Sequence, residues 1–480
     1  MDYKKIKLTL FIILLSFSTK LWAVEWQDCW IGNPQAARSV KASCASIEIP
    51  ENREIKNGRK IQLHLAKVWS WNKNKKADPV LFLSGGPGQS AIETYLSVEG
   101  GLSQLVKGRD IVLVDQRGTG KSNPLHCDID ESLIFSEMSE ALSADFLKQC
   151  LAGLEADTRY YTTTESIKDL ELVRKALDIK QWNLVGVSYG TRKALTYAAM
   201  FPAAIRTMVL DGVVHQQEPL GLSHEQNLQA ALSLQFDACA LQDACAKAFG
   251  DVTTTMHKLL KAADKKPESI TLPHPITGEP FEIVLSREVL TTVIRMFSYS
   301  AETYRLLPLL LDLAGKGNYT PLASQALLVH ASLNKMIALG LDMSILCAED
   351  APFFPEEDDS EAFFSSKTMP ALRQKSCEHW PHIPVDPTFK NAVHSDIPTL
   401  LLSGEFDPVT PPAFADKAAE TLSNSTHLVA KGLGHGVFMH GCMPFVIRDF
   451  IETPSESVDA TCMQSFSAPA FFTTLMGPEQ

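Results

Sequence analysis

A serine between two glycines is the first group in this chain whose type and setting could do chemistry. Residues 186–190 read G-V-S-Y-G and lie between an apolar run, 182–187, and a stretch of helical character, 191–200. Small flanking residues allow a strand and a helix to approach so closely that a sharp turn lifts Ser188 clear of a sheet. The start of the helix would direct its N–H groups at a developing oxyanion. We therefore predict Ser188 to be the nucleophile of an acyl-transfer reaction.

An acid and a histidine follow the serine in the chain. Asp407 lies just after the apolar run 400–402, which places its carboxylate in a loop at the C-terminal end of a strand. His435 lies in G-L-G-H-G, 432–436, whose glycines let a loop carry the imidazole back over the serine. We predict His435 to be the general base and then the general acid, with Asp407 holding its tautomer.

Three neighbouring residues are alternatives for these two roles. Glu405 lies two residues before Asp407 and could be the acid, although a solvated loop carboxylate is the usual role of such a residue. His427 falls inside a predicted strand, and His440 lies beyond the glycine-flanked loop. We therefore favour Asp407 and His435.

A second glycine cluster follows the apolar run 79–83. Residues 84–90 read S-G-G-P-G-Q-S, where a loop could offer a backbone N–H to an oxyanion. We predict Gly86 as that donor, with Gly85 as the alternative. The second donor would be the N–H of Tyr189, the residue after the nucleophile. Loss of one such donor typically costs about 3 kcal/mol of transition-state stabilisation.

Two other motifs suggest ligands but do not fit them. Residues 118–122, G-T-G-K-S, end like a phosphate-binding P-loop, but Asp115 stands where that motif needs a glycine. We therefore predict a strand-to-loop turn in which Arg117 braces loops. Residues 379–382, H-W-P-H, lie near Cys377, but the proline and an oxidised cysteine argue for a structural role instead of a metal site.

The elements that must position these groups alternate between strands and helices. Strands are predicted near Val80, Ile111, Leu184 and Met208, after an opening hairpin formed by 42–54 and 60–69. A helix is predicted over 162–177, which begins with a capping box. Parallel strands joined by crossover helices are the expected architecture.

The pattern changes after Asp211 and Gly212. Residues 214–395 show stretches of helical character without recurring strands, and we predict that they form a large, mainly helical cap. Strands resume at 397–403 and 426–429, followed by a closing helix near 443–451. The predicted organisation is a signal peptide, the first part of a core, the cap, and the C-terminal part of the core, over residues 1–23, 24–213, 214–395 and 396–480.

Taken together, the motifs resemble those of a known peptidase family. The chain is similar to the prolyl iminopeptidase and tripeptidyl aminopeptidase group of α/β-hydrolase serine peptidases through G-G-P-G at 85–88, D-Q-R-G-T-G at 115–120, the Ser188 pentapeptide, Asp407 and His435. This resemblance implies the α/β-hydrolase fold with a mostly parallel central sheet and a cap insertion. It also implies cleavage of peptides from a free N-terminus.

The secreted tripeptidyl aminopeptidase branch is the most similar. Its cap carries patterns like I-L-C-A-E-D at 345–350 and C-E-H-W at 377–380. The chain departs from the group at Ser84, where the group usually has histidine before the oxyanion glycines. The backbone donor does not depend on that side chain.

An aminopeptidase must also recognise an ammonium group, which calls for a carboxylate in a partly desolvated pocket. We predict that Glu349 and Asp350 bind it, because they adjoin Cys347 in the pattern shared with the peptidase group. The alternative is that they continue the acidic loop 356–359, E-E-D-D. A carboxylesterase would need the same serine, acid and histidine without any amine-binding carboxylate, and a catalytically inactive binding protein is a third possibility.

Composition limits the partners. The 480 residues are 45% hydrophobic, enough for a large core, and carry a net charge of −12. This acidic balance leaves no basic stripe for nucleic acid. The expected partners are peptide substrates with a free N-terminus, and nothing in the sequence indicates a metal or an organic cofactor.

The N-terminus predicts export. Lys4, Lys5 and Lys7 precede the apolar run 8–17, and L-W-A at 21–23 offers a small residue before a cleavage site, as in a secretory signal peptide. The run is shorter than the roughly 20 apolar residues of a transmembrane helix. We therefore predict a periplasmic or secreted protein without stable membrane insertion.

Ten cysteines, an even number, suit an oxidising compartment. Sequence alone does not fix their connectivity, but pairing between neighbours has the lowest loop-closure entropy. A zinc site is disfavoured because paired C-x-x-C spacing is missing. Each bridge would contribute about 3 kcal/mol. Neighbour pairing gives Cys29 with Cys44, Cys127 with Cys150, Cys239 with Cys245, Cys347 with Cys377, and Cys442 with Cys462.

Overall fold

The structure is a computed structural model that describes residues 24–32, 38–127, 143–274, 277–355 and 369–478, without the side chains of 330–335, 369, 370 and 372. The predicted signal peptide, 1–23, and the acidic loop, 356–359, lie outside these residues. None of the helices within them combines the length and apolar character needed to span a bilayer.

A nine-stranded sheet forms the centre of the fold, in the order β1-β2-β3-β5-β4-β6-β7-β10-β11. The first three strands are antiparallel, β3 pairs with β5 antiparallel, and all further neighbours are parallel. The strands are β1 (Gln27–Ile31), β2 (Val40–Pro50), β3 (Lys60–Val68), β4 (Val80–Leu83), β5 (Ile111–Val114), β6 (Trp182–Val187), β7 (Ile205–Asp211), β10 (Thr399–Gly404) and β11 (Ser425–Ala430).

The central strands are apolar on both faces. Every residue of β4, β5 and β10 is buried, as expected for parallel strands covered by helices on both sides. The helices of this core are α1 (Ala91–Leu102), α2 (Ala144–Gly153), α3 (Thr163–Ala176), α4 (Tyr189–Met200), α14 (Pro412–Ala419) and α15 (Met443–Glu452). The sheet therefore carries one apolar cluster on each face. The parallel sheet, its crossover helices and the opening hairpin match the sequence prediction.

Residues 214–395, here called the cap segment, connect β7 to β10. Their helices are α5 (His224–Ala240), α6 (Asp243–Phe249), α7 (Val252–Lys265), α8 (Arg287–Ser298), α9 (Ala301–Tyr304), α10 (Leu307–Gly315), α11 (Thr320–Met336), α12 (Leu339–Ile345) and α13 (Met369–Ser376). A π-helical turn, Leu346–Asp350, continues α12. The segment also contains an antiparallel hairpin of β8 (Glu268–Pro273) and β9 (Pro280–Leu285), which the sequence analysis did not predict.

The disulfides join the neighbouring cysteines as predicted. The five bridges are Cys29–Cys44, Cys127–Cys150, Cys239–Cys245, Cys347–Cys377 and Cys442–Cys462. Their Cα–Cα distances of 5.2 to 6.5 Å lie in the normal range. The Cys347–Cys377 bridge joins the π-helical turn to the residue that follows α13, so it fixes two parts of the cap segment to each other.

Candidate active site

Ser188 lies on a sharp turn between β6 and α4. Its backbone has φ 56° and ψ −127°, a conformation that non-glycine residues rarely adopt. A side chain at Gly190 would place its Cβ 2.1 Å from the Leu83 carbonyl oxygen, so only glycine permits this packing of α4 on β4. The Ser188 N–H donates to the Asp211 carbonyl oxygen at 2.9 Å. The turn therefore holds Ser188 at the carboxyl edge of the sheet.

His435 and Asp407 form a hydrogen-bonded pair. His435 Nδ1 lies 2.7 Å from Asp407 Oδ2. The other carboxylate oxygen accepts the N–H groups of Val409 and Thr410, each at 2.9 Å, and Thr410 Oγ1 donates to Oδ2 at 2.8 Å. Burial alone would lower the pKa of His435, but the Asp407 carboxylate outweighs it and raises that pKa above its usual value. The imidazole is thus oriented and made more basic.

The histidine loop rests on the cap segment. The His435 N–H donates to the Tyr299 carbonyl oxygen at 2.6 Å, and the two rings meet edge to face. A Cβ at Gly434 would lie 2.2 Å from that same oxygen, so the close approach requires glycine. Tyr299, the residue that follows α8, therefore fixes the position of the His435 imidazole above the sheet.

Ser188 and His435 lie at the same edge of the sheet. Gly212 follows the Asp211 carbonyl that binds Ser188, and a Cβ at Gly212 would lie 2.8 Å from His435 Cε1. Because Asp407 occupies Nδ1, Nε2 is the ring nitrogen left to exchange a proton. The fold therefore brings three sequence-distant residues, Ser188, Asp407 and His435, to one edge.

The alternative acid and histidines lie in other settings. Glu405 accepts the N–H of Gly432. His427 is bonded to Ser403 at 2.9 Å and to Asp416 at 2.8 Å, and His440 lies near the exposed Glu302. None of these groups is hydrogen-bonded to His435 in the described part of the chain.

A second buried carboxylate lies beneath the histidine loop. Asp211, at the end of β7, accepts the Phe438 N–H at 2.8 Å, while its other oxygen has no partner among the described residues. Burial raises the pKa of Asp211 to about 6, against the lowering effect of backbone N–H groups and of His435. This residue was not predicted from the sequence, although, like Asp407, it lies at the carboxyl end of an apolar strand.

The loop after β4 lies against the nucleophile. A Cβ at Gly85 would lie 3.1 Å from Ser188 Cβ, and Gly86 lines the same cavity as Ser188, with φ +103°. Ser84 Oγ donates to the Gln89 carbonyl at 2.8 Å and closes the loop. Tyr189 begins α4, where N–H groups lack helical partners. Both predicted oxyanion donors therefore belong to elements that border Ser188.

The polar loop after β5 is structural. Arg117 is fully buried and donates to both Asp169 oxygens and to the carbonyls of Glu51 and Tyr160. The Asp115 side chain accepts from Ser90 and from backbone N–H groups. These bonds brace loops, as the sequence analysis predicts for Arg117.

A cavity of about 100 Å³ lies over Ser188, between the core and the cap segment. Its polar wall contains Asp342 and Arg373, and its apolar wall contains Val214 and Leu346. Asp342 and Arg373 were not predicted as site residues, because nothing in their local sequence indicates that α12 and α13 meet above the serine.

Glu349 and Asp350 are both fully buried, yet they occupy different positions. Glu349 is turned to the backbone and the hydroxyl of Thr163, and burial raises its pKa to about 7. Asp350 borders the cavity but is bonded to Arg192 at 2.9 Å and to Lys390 at 2.6 Å. Of the two residues predicted to bind the substrate ammonium, Glu349 is not among those that line the cavity, and Asp350 is already paired with two cations.

Comparisons with known proteins agree with the fold. Residues 78–239 match the family model described as alpha/beta hydrolase fold, and residues 362–462 match the one described as TAP-like protein. The Escherichia coli (strain K12) protein YuaR, whose name gives it only as a hydrolase, is 28% identical, over 95% of this chain and 96% of its own.

Two further relatives carry peptidase names. Serine protease Hip1 of Mycobacterium tuberculosis (strain H37Rv) is 25% identical, over 87% of this chain and 86% of its own. Tripeptidyl aminopeptidase of Streptomyces coelicolor is 26% identical, over 51% of this chain and 49% of its own. Together with the sheet order, these matches show that the chain has the α/β-hydrolase fold and that residues 362–462 are similar to TAP-like proteins.

Proposed function

We propose that the protein is an exported serine aminopeptidase that releases residues from the free N-terminus of peptides through an acyl-enzyme on Ser188. The observation that carries this proposal is the positive φ of Ser188 on the β6–α4 turn, beside an imidazole whose Nδ1 is bound by a buried carboxylate. The peptidase names of two relatives support the substrate class. The five disulfides support export.

Ser188 Oγ attacks the carbonyl carbon of the scissile bond while His435 Nε2 takes its proton. The resulting oxyanion accepts hydrogen bonds from the N–H groups of Gly86 and Tyr189. His435 then gives the proton to the leaving amine, and the C–N bond breaks. Water repeats the sequence on the acyl-enzyme, which frees the acyl group and restores Ser188.

Asp407 acts through the histidine. It holds the tautomer with the proton on Nδ1 and stabilises the imidazolium that forms after attack. Thr410 supports it twice, by donating its backbone N–H and its hydroxyl to the carboxylate. These bonds, with the N–H of Val409, fix the orientation of the buried Asp407 carboxylate.

The test compares three substrate types with purified protein: peptide amides with a free N-terminus, the same peptides N-acylated, and simple acyl esters. We expect turnover of the free peptides and little turnover of the blocked ones. Equal turnover of blocked and free peptides would contradict the aminopeptidase proposal. Turnover of esters alone would favour a carboxylesterase that uses the same residues. A Ser188→Ala variant, which should be inactive on all three, is the control for contaminating hydrolases.

A further inference from the structure

The wall of the cavity over Ser188 holds two carboxylates among the described residues, Asp342 and Asp350. Asp350 is fully buried and bonded to Arg192, to Lys390 and to the Leu220 N–H. A further cation at Asp350 would compete with two existing ones. Its place in the cavity wall is therefore structural.

Asp342 differs from Asp350 in both exposure and bonding. Its side chain is 20% exposed, and it lies on the surface of the cavity. Among the described residues, Arg373 is the one side chain that donates to it, from Nη2 to Oδ2 at 2.8 Å. A carboxylate has two oxygens with about four acceptor sites, so one Arg contact leaves capacity for another donor.

The position of Asp342 relative to the nucleophile is fixed by backbone bonds. The Ala338 N–H donates to the Gly88 carbonyl at 3.0 Å, which ties the start of α12 to the loop that carries Gly86. The Gly340 N–H donates to the Leu125 carbonyl at 2.8 Å. The helix that carries Asp342 is thus fixed to the core on the side of Ser188.

The rest of the cavity suits the part of a peptide that lies between an ammonium and the scissile bond. Val214, Leu220, Leu346 and Val409 line it with apolar groups. Apolar side chains lower the local dielectric constant, which strengthens an ion pair and disfavours an amine left without a partner.

We propose that Asp342 binds the α-ammonium group of the substrate and so makes the enzyme select free N-termini. This proposal rests on the proposed aminopeptidase function. Arg373 orients the carboxylate through Oδ2, and the ammonium binds at its remaining acceptor sites. Asp342 is a specificity residue: it binds substrate and takes no part in the proton transfers at Ser188.

The test is an Asp342→Asn variant, assayed on free-amine peptides and on acyl esters that lack an amine. Loss of a charged hydrogen bond should raise KM for the free peptides by about 10- to 100-fold. The KM for esters and the rate of Ser188 labelling by a fluorophosphonate should change far less than the KM for free peptides, because neither reagent carries an amine. Asp342→Glu, which keeps the charge, should recover part of the lost affinity. Asp264→Asn is the matched control, because Asp264 forms a similar pair with Arg287 in the cap segment at 2.7 Å.

Each failure has a distinct meaning. If wild-type protein cleaves free peptides and Asp342→Asn does so with unchanged KM, the assignment of Asp342 is wrong and the aminopeptidase function stands. If KM rises equally for esters and peptides, Asp342 shapes the cavity without selecting the amine, and the proposal is again overturned. If wild-type protein labels at Ser188 but cleaves no free peptide, the proposed function itself fails. If Asp342→Asn does not fold, as judged by loss of labelling, Asp342→Glu and Asp342→Ala take its place. The KM of these variants for free peptides is then compared with their KM for esters.

Discussion

Replacing Asp211 by asparagine should stabilise the protein at neutral pH and have little effect in acid. The Asp211 side chain is fully buried, and burial raises its pKa from 3.8 to about 6. An acid whose pKa is higher in the folded than in the unfolded chain lowers stability once it ionises. This penalty is absent below about pH 3.8, grows between pH 3.8 and 6, and is complete above pH 6.

The size of the effect follows from the same two pKa values. A rise from 3.8 to about 6 corresponds to about 3 kcal/mol of unfolding free energy. An unfolding entropy of roughly 2.1 cal/mol/K per residue over 480 residues gives about 1 kcal/mol/K, so Tm should rise by about 3 °C. Asparagine mimics the protonated acid in shape, which is why the comparison isolates the charge.

The assay is thermal unfolding of wild-type and Asp211→Asn protein, with disulfides intact, at pH 4 and at pH 8. We expect the two proteins to differ by less than 1 °C at pH 4 and by about 3 °C at pH 8. Asp264→Asn, at a half-exposed side chain, is the control for the effect of the substitution itself. A Tm difference between wild-type and Asp211→Asn that is the same at both pH values would refute the reasoning.

Three further predictions concern the site and the cap segment. Asp407→Asn should lower kcat by about 10⁴-fold while Tm changes little, and an unaltered kcat would remove Asp407 from the mechanism. Because the pKa of His435 is raised, the decrease of kcat/KM in acid should have an apparent pKa above 6.5. Asp211→Asn should lower this apparent pKa, because the Asp211 carboxylate contributes to raising it. An apparent pKa below 6.5 in wild-type protein would contradict the pairing of His435 with Asp407. Joint replacement of Cys347 and Cys377 by serine should lower stability by about 3 to 4 kcal/mol, given a sequence separation of 30, and unchanged denaturant unfolding would show that the bridge does not constrain the unfolded chain.

The core was predictable because local sequence determines it. The turn at Ser188 depends only on local sequence: an apolar strand, a serine between two glycines, and a helix that follows directly. The loops that carry Asp407 and His435 each follow a predicted strand, and the structure contains these strands as β10 and β11. The fold could therefore be read from periodicity and from glycines that permit close approach.

The cap segment was less predictable because its contacts are between distant parts of the chain. The hairpin β8–β9 has alternating apolar residues only over short stretches, within a sequence otherwise of helical character. Asp342 meets Arg373 only because α12 and α13 fold together above the core. The Glu349 carboxylate binds Thr163, which is distant in sequence, so this contact was not predictable from the residues around Glu349 either.

Covalent labelling of the nucleophile tests the proposed role of Ser188 most directly. Oxidised, monodisperse protein is treated with a fluorophosphonate, digested and examined by peptide mass spectrometry. We expect one adduct, on Ser188, formed faster at pH 8 than at pH 5 because His435 must be neutral to accept the proton. Folded protein in which Ser188 remains unmodified would contradict this role.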